Sequence, residues 1–266
     1  MRVASKPVGP AAGWVPPAID WALPWFRPWR DTGAEAAAWC QGGLAVHQAL
    51  NALGQEAHGL APRFVSQQTL PVGAPYERHI FEQGAVPTRD NAHDFFNGLV
   101  WLGLPQAKRR MNQLQAAEIT ARGVGAKRGP VRDALTVFDE NGAVLMAPCD
   151  IWEALIARDW TRLFLTLRPR WHEARLLVCG HALLEQLQRP RKDLTAHVLR
   201  AQAQWSSMAM LDAWLAGQLQ SECLARKPFT PLPVLGIPGW CADNEAPGFY
   251  DDTRVFRPAR TGASLA

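Results

Sequence analysis

Between residues 89 and 101 the chain reads RDNAHDFFNGLVW, with polar side chains set inside an apolar run. On a helix turning about 100° per residue, Asp90, His93, Asp94, Asn97 and Trp101 gather in one wedge, and Phe95, Phe96, Leu99, Val100, Leu102 and Leu104 take most of the rest. The spacing therefore predicts a mostly buried helix from about Ala92 to Gly103 with one polar stripe. That stripe must face a partner, a cavity or water, because each unpaired buried polar group costs about 1 to 3 kcal/mol. Asn91 or Asp90 is placed to cap the helix, and Asp94 then sits in the first turn, where the helix dipole favours an acid. Capping explains Asp94 and leaves His93 and Asn97 without a structural reason.

Other stretches follow the same two periods. A second helix is predicted over PQAKRRMNQLQAAEITARG, with Pro105 at its first position and Gly123 past its end. Leu104, Ala107, Met111 and Leu114 form its apolar face, and Lys108, Arg109, Arg110 and Gln113 read as a basic outer face. An earlier helix spans GAEAAAWCQGGLAVHQALNAL, with Asp31 or Thr32 as cap and Gly42-Gly43 as a bend. PRFVSQQ and YERHIFEQG are short enough for strands. The strongest β expectation is DALTVFDENGAVLMAP, read as a hairpin around Asn141-Gly142 that assigns Asp139 and Glu140 to solvated turn chemistry. Next come a helix over DIWEALIARDWTRLFLTLR with Asp150 as cap, a strand running through Gly180 into a short helix in ARLLVCGHALLEQLQRP, and one long helix from LTAH to CLAR.

These elements predict an α+β fold: one helix-dominated domain with a small antiparallel sheet and extended Pro/Trp-rich terminal arms. The arms are placed at residues 1–32 and 227–266, packed on a core at 33–226. Twelve tryptophans against two tyrosines, five of them within the first forty residues, suit rings that pin extended segments to a core.

At 266 residues, 48% hydrophobic, the chain is long enough for a sizeable core. A net charge of +4 and a pI near 9.0 permit a phosphate-containing or nucleic-acid ligand without demanding one. Five scattered cysteines without a C-x-x-C pair point to free thiols in a reducing compartment. No signal-like or membrane-spanning apolar run is present, so a cytoplasmic location is expected. Motifs for nucleotide phosphates, a G-x-S-x-G elbow and H-E-x-x-H are all missing.

Chemistry therefore rests on scattered groups. His181 stands where a strand hands over to a helix, with Glu185 four residues on, and His197 lies near the start of the predicted long helix. With His93 they would supply the ligands that a divalent transition metal prefers. Lys127 and Arg128 form a basic loop that suits solvated surface better than phosphate binding, and Arg132 and Asp133 enter the predicted hairpin where a side chain turns inward. As an enzyme, the protein would use His93 as general base or ligand, Asp94 to orient it, Asn97 to position a reacting group and Arg132, beside Asp133, to neutralise negative charge. His181 and His197 would complete the metal site, for hydrolase or nuclease chemistry. The opposing expectation is a non-catalytic scaffold that binds nucleic acid or protein and keeps the polar stripe as an internal network.

Several stretches in order, PTRDNAHDFFNGLVWLGLPQAKRRMNQLQ, RGPVRDALTVFDENGAV, GHALLEQL, LTAH, LPVLGIPGW and FYDDTRVFRP, resemble an uncharacterised bacterial family, domain-of-unknown-function family 3025. The likeness runs from about Trp14 to Pro258 and implies a single domain, with no activity, cofactor or catalytic residue attached. A shorter stretch, NGLVWLGLPQAK, looks like the closing part of HNH-type nuclease fingers through Asn97, Leu99 and Trp101, which would require a β-hairpin delivering a histidine ahead of it.

Overall fold

A computed structural model describes residues 14–54, 62–123, 129–202 and 204–259. Lys127 and Arg128 lie outside the described residues, as do residues 1–13 of the expected N-terminal arm. The fold is α+β, a single helix-dominated domain. Helices α1 (Arg30–Gln41) and α2 (Val46–Gly54) are separated at Gly42-Gly43, where Gly43 takes a φ of 98°. Strand β1 (Arg63–Ser66) pairs in parallel with β2 (Ala85–Thr88), and α3 (Tyr76–Gln83) lies between them.

Helix α4 (Ala92–Gly103) starts as the pattern predicts: the Asn91 side chain accepts a hydrogen bond from the Asp94 amide at 2.8 Å. Helix α5 (Pro105–Arg122) begins on its proline and ends at Gly123. Next come α6 (Pro130–Asn141), β3 (Gly142–Met146), α7 (Cys149–Ala157), β4 (Arg175–Val178), α8 (His181–Gln186) and β5 (Thr195–Arg200). The chain closes with α9 (Met208–Gln218), α10 (Ser221–Ala225) and β6 (Thr230–Pro233), followed by short 3-10 turns. The main sheet has the order β4-β3-β5-β6: β3 runs antiparallel to β4 and parallel to β5, and β6 runs antiparallel to β5. It is a mixed sheet, where an antiparallel one was expected.

Four local expectations are overturned. The hairpin at Asn141-Gly142 is instead the junction of α6 and β3. Val131, Ala134, Leu135 and Phe138 are the buried residues of α6, a helical spacing that outweighs the Asn-Gly turn signal. Gly142 has a φ of −74°, so no positive-φ turn exists there. YERHIFEQ is α3, stopped by Gly84 in the left-handed conformation, and is not a strand. The predicted long helix opens as strand β5, whose Ala196 and Val198 point into the core, and helix returns only at Met208, capped by Ser207. The helix after Pro148 breaks at Arg158, which adopts a φ of 52°.

The core lies between the main sheet and the helices, and tryptophans tie the N-terminal segment to it. Trp14 packs on Phe95, Trp25 on Trp240, and the buried Trp29 indole donates to the Val178 carbonyl at 3.1 Å. Beyond residue 227 the chain supplies edge strand β6, then packs Tyr250 and Phe256 against Phe164. All five cysteines are free thiols. Among the described residues no helix is long and apolar enough to cross a membrane.

Candidate metal centre

Two glycines bring the site together. The Gly142 carbonyl accepts hydrogen bonds from the amides of Cys179 and Gly180 at 3.0 and 2.7 Å, which pins the β4–α8 turn to the end of α6. A Cβ on Gly180 would stand 2.4 Å from the Gly142 nitrogen, so only glycine permits this approach. His181, the first residue of α8, is thereby set against Asp139 and Glu140 in the last turn of α6. From the other side α4 packs across α8 and presents His93 from its first turn.

The two imidazoles meet edge to face, Nε2 to Nε2, at 3.0 Å. His93 Nδ1 lies 3.0 Å from Glu185 Oε2, and His181 Nδ1 lies 3.7 Å from Asp139 Oδ2. Glu185 favours a proton on His93 Nδ1, which leaves the His93 Nε2 lone pair facing His181 Nε2. Glu140 Oε2 is 3.6 Å from His181 Nε2. One donor atom each from His93, Glu140 and His181 lies within 4.8 Å of the others. Two nitrogens bound tetrahedrally to zinc, each at roughly 2.0 to 2.1 Å, stand about 3.3 Å apart, so the observed separation suits a shared cation. Burial pushes the His181 pKa down to about 4, against the pull of Asp139, and the ring is therefore neutral near pH 7 and able to ligate.

A buried network supports the pair. Lys108 is 4% exposed; its Nζ donates to Asp139 Oδ1 at 2.5 Å and to Asn97 Oδ1 at 2.8 Å, and it lies over the Trp101 ring. Burial alone would raise the Asp139 pKa, but Lys108 and the two histidines hold it below the usual carboxylate value. Asn97 reaches the Tyr76 hydroxyl at 3.4 Å. These groups border a cavity of about 350 Å³ that opens beside His93 and His181. Burial and Asp139 raise the pKa of Glu77 in its wall, while Asn112 opposes the shift through a 2.7 Å hydrogen bond.

The structure brings together some of the residues singled out from the sequence and separates others. His93, Asp94, Asn97 and His181 all line the cavity. The Asp94 carboxylate is taken by Arg89, through its backbone amide at 2.6 Å and its guanidinium at 2.9 and 3.1 Å, and the group that holds His93 is Glu185. Arg132, Asp133 and His197 are not among the lining residues. Arg132 and Asp133 sit in the first turn of α6, far along the helix from its Asp139-Glu140 end, and Asp133 pairs with Lys227 at 2.6 Å. His197 is on strand β5, not at a helix start, and its pKa is lowered by burial and by Lys227. The predicted basic outer face of α5 is corrected at one residue: Arg109 and Gln113 are exposed and Arg110 half-buried, but Lys108 points inward.

Glu140 and Asp139 were missed because they were read as turn residues. The available signal was their position at a helix C-terminus, where the dipole disfavours acids, and it required α6 to be recognised first. Glu185, four residues after His181 on α8, bonds His93. The likeness to an HNH finger does not survive, because Asn97, Leu99 and Trp101 lie within α4 and the strand before them, β2, pairs in parallel with β1.

No curated protein and no solved structure gives a match to the chain. A family model described as "Protein of unknown function (DUF3025)" matches residues 62–260.

Proposed function

The chain belongs to the DUF3025 family of proteins of unknown function, and from that footing we propose that it is a metal-dependent hydrolase centred on His93, His181 and Glu140. The observation that carries the proposal is the convergence of two imidazole Nε2 atoms with a carboxylate at the edge of a polar cavity. Two histidines and one glutamate form a ligand set used by catalytic zinc, with a fourth position left for water or substrate. His93, the more exposed of the two rings, has the outer-side carboxylate that ligating histidines use, Glu185 at 3.0 Å from Nδ1. A divalent ion bound there would polarise a substrate carbonyl or acidify a bound water.

The remaining roles belong to the chain. Glu185 fixes the ring of His93 through Nδ1, and the Asp139 carboxylate, 3.7 Å from His181 Nδ1, supplies negative charge on the outer side of the second ring. Lys108 keeps Asp139 ionised, and Asn97 holds the Lys108 ammonium in place. Arg132, Asp133 and His197 receive no part in this centre.

The test is elemental analysis of the purified protein beside a His93→Ala, His181→Ala double variant. The expected result is near-stoichiometric zinc or another divalent transition metal in the native protein and its loss from the folded variant. Absence of metal from the native protein, even after purification with added zinc, overturns the proposal and leaves the cluster as an internal polar network.

A further inference from the structure

The part of the cavity wall built by α3 and α5 has a chemistry of its own. Four carboxylates border the cavity, Glu77, Asp94, Asp139 and Glu140, against two cations, Arg89 and Lys108. Both cations are bonded to acids, Arg89 to Asp94 and Lys108 to Asp139. Away from the metal site, a phosphate or carboxylate would meet acidic oxygens and cations that are already engaged. A divalent ion on His93, His181 and Glu140 would balance the carboxylates of the cavity as a whole, so selectivity falls to the local wall around Glu77.

Glu77 stands in the first turn of α3, and Asn112 of α5 clamps it, donating to both its carbonyl and its carboxylate at 2.7 Å. Three residues along the same face of α5, Gln115 is 7% exposed, lines the cavity, and its side chain makes no hydrogen bond to another described residue. A buried amide with both a donor and an acceptor is held toward open space, which is the condition for reading a polar ligand. Tyr76 and Asn97 continue this surface toward the histidines.

We propose that the wall is a recognition subsite: the cavity takes a small uncharged or cationic substrate that presents an amide or an amine to Glu77 and Gln115, and it rejects phosphates and other anions. Glu77 is the residue that sets this selectivity. The inference rests on the metal reading for the end of the substrate that reacts, and the subsite then removes nucleic acid and phosphate esters from the substrate classes open to the centre.

The test uses three hydroxamates with one chelating head and the same two-carbon spacer: β-alanine hydroxamate with an ammonium tail, butyrohydroxamate with a neutral tail and succinohydroxamate with a carboxylate tail. Each is titrated into full-length protein loaded with cobalt(II), and binding is followed by the visible absorption of the bound metal. The ammonium and neutral compounds are expected to bind about tenfold or more tighter than the carboxylate compound, the scale set by one like-charge contact at partly buried range. Glu77→Gln should narrow the gap between the charged compounds by at least about threefold and leave the neutral one unchanged. Gln115→Glu should widen the gap, which keeps the test usable if the Glu77 variant does not fold. Equal or tighter binding of the carboxylate compound, or a gap that neither variant moves, overturns the inference. A protein that takes up no cobalt overturns the metal reading, and this inference with it.

Discussion

Acid should destabilise the metal-free protein through His181. The ring is 4% exposed and its pKa falls from 6.5 to about 4, chiefly through burial, with Lys108 and His93 adding to the fall and Asp139 opposing it. In the unfolded chain the same ring titrates near 6.5. Between those values the unfolded state binds a proton that the folded state refuses, so stability falls as pH falls through that window and is flat above it. A shift of 6.5 to 4 at about 1.4 kcal/mol per unit corresponds to about 3 kcal/mol.

The assay is urea unfolding of the metal-free native protein and a His181→Asn variant at several values between about pH 7 and pH 4. Glu77 and Asp212, with raised pKa values, remain in both proteins and largely cancel in the difference, while Asp139, held down partly by His181, titrates toward its ordinary value in the variant. The advantage of the native protein over the variant should shrink by about 3 kcal/mol across the window. Parallel profiles, or a native protein that gains on the variant as the solution becomes more acid, would refute a buried neutral His181. Added zinc should protect the native protein and lower the pH at which stability is lost, since metal and proton compete for the same lone pair.

Three further outcomes follow from the same contacts. Glu185→Gln, which weakens the hold on His93 Nδ1, should lower metal affinity by about 10- to 100-fold in competition with a chromophoric chelator, with little change in folding. Lys108→Met leaves Asp139 and Asn97 without their buried partner and should cost about 3 to 5 kcal/mol in chemical denaturation, part of which Asp139→Asn should restore. Asn91→Ala removes the cap of α4 and should cost about 1 kcal/mol while metal content stays unchanged, which separates the stability of the helix from the chemistry it carries.

Where a signal is local, it was legible. Asn91, Pro105, Gly123 and the polar wedge of α4 each act within one or two helical turns, through a cap, a fixed φ or a single face, and each stands where the pattern puts it. The passage from strand into helix at Gly180 was legible for the same reason. The junction at Asn141-Gly142 was not, because a good turn pair coincided with a helical spacing and only packing of Val131, Leu135 and Phe138 chose between them. Strand β5 was lost in a similar way: its residues tolerate helix, and pairing with β3 and β6 overrides that tolerance.

By itself the sequence determined that the chain folds as α+β with helices dominant, and that His93 and Asn97 share a face with no structural duty to explain them. Tertiary structure alone decided which groups meet that face. His93 and His181 are 88 positions apart, Glu140 belongs to a third helix, and Lys108 turns inward where periodicity sent it out. No local rule carries such information, since the register of α4, α6 and α8 is set by a close backbone approach at Gly142 and Gly180 and by core packing summed over the whole domain.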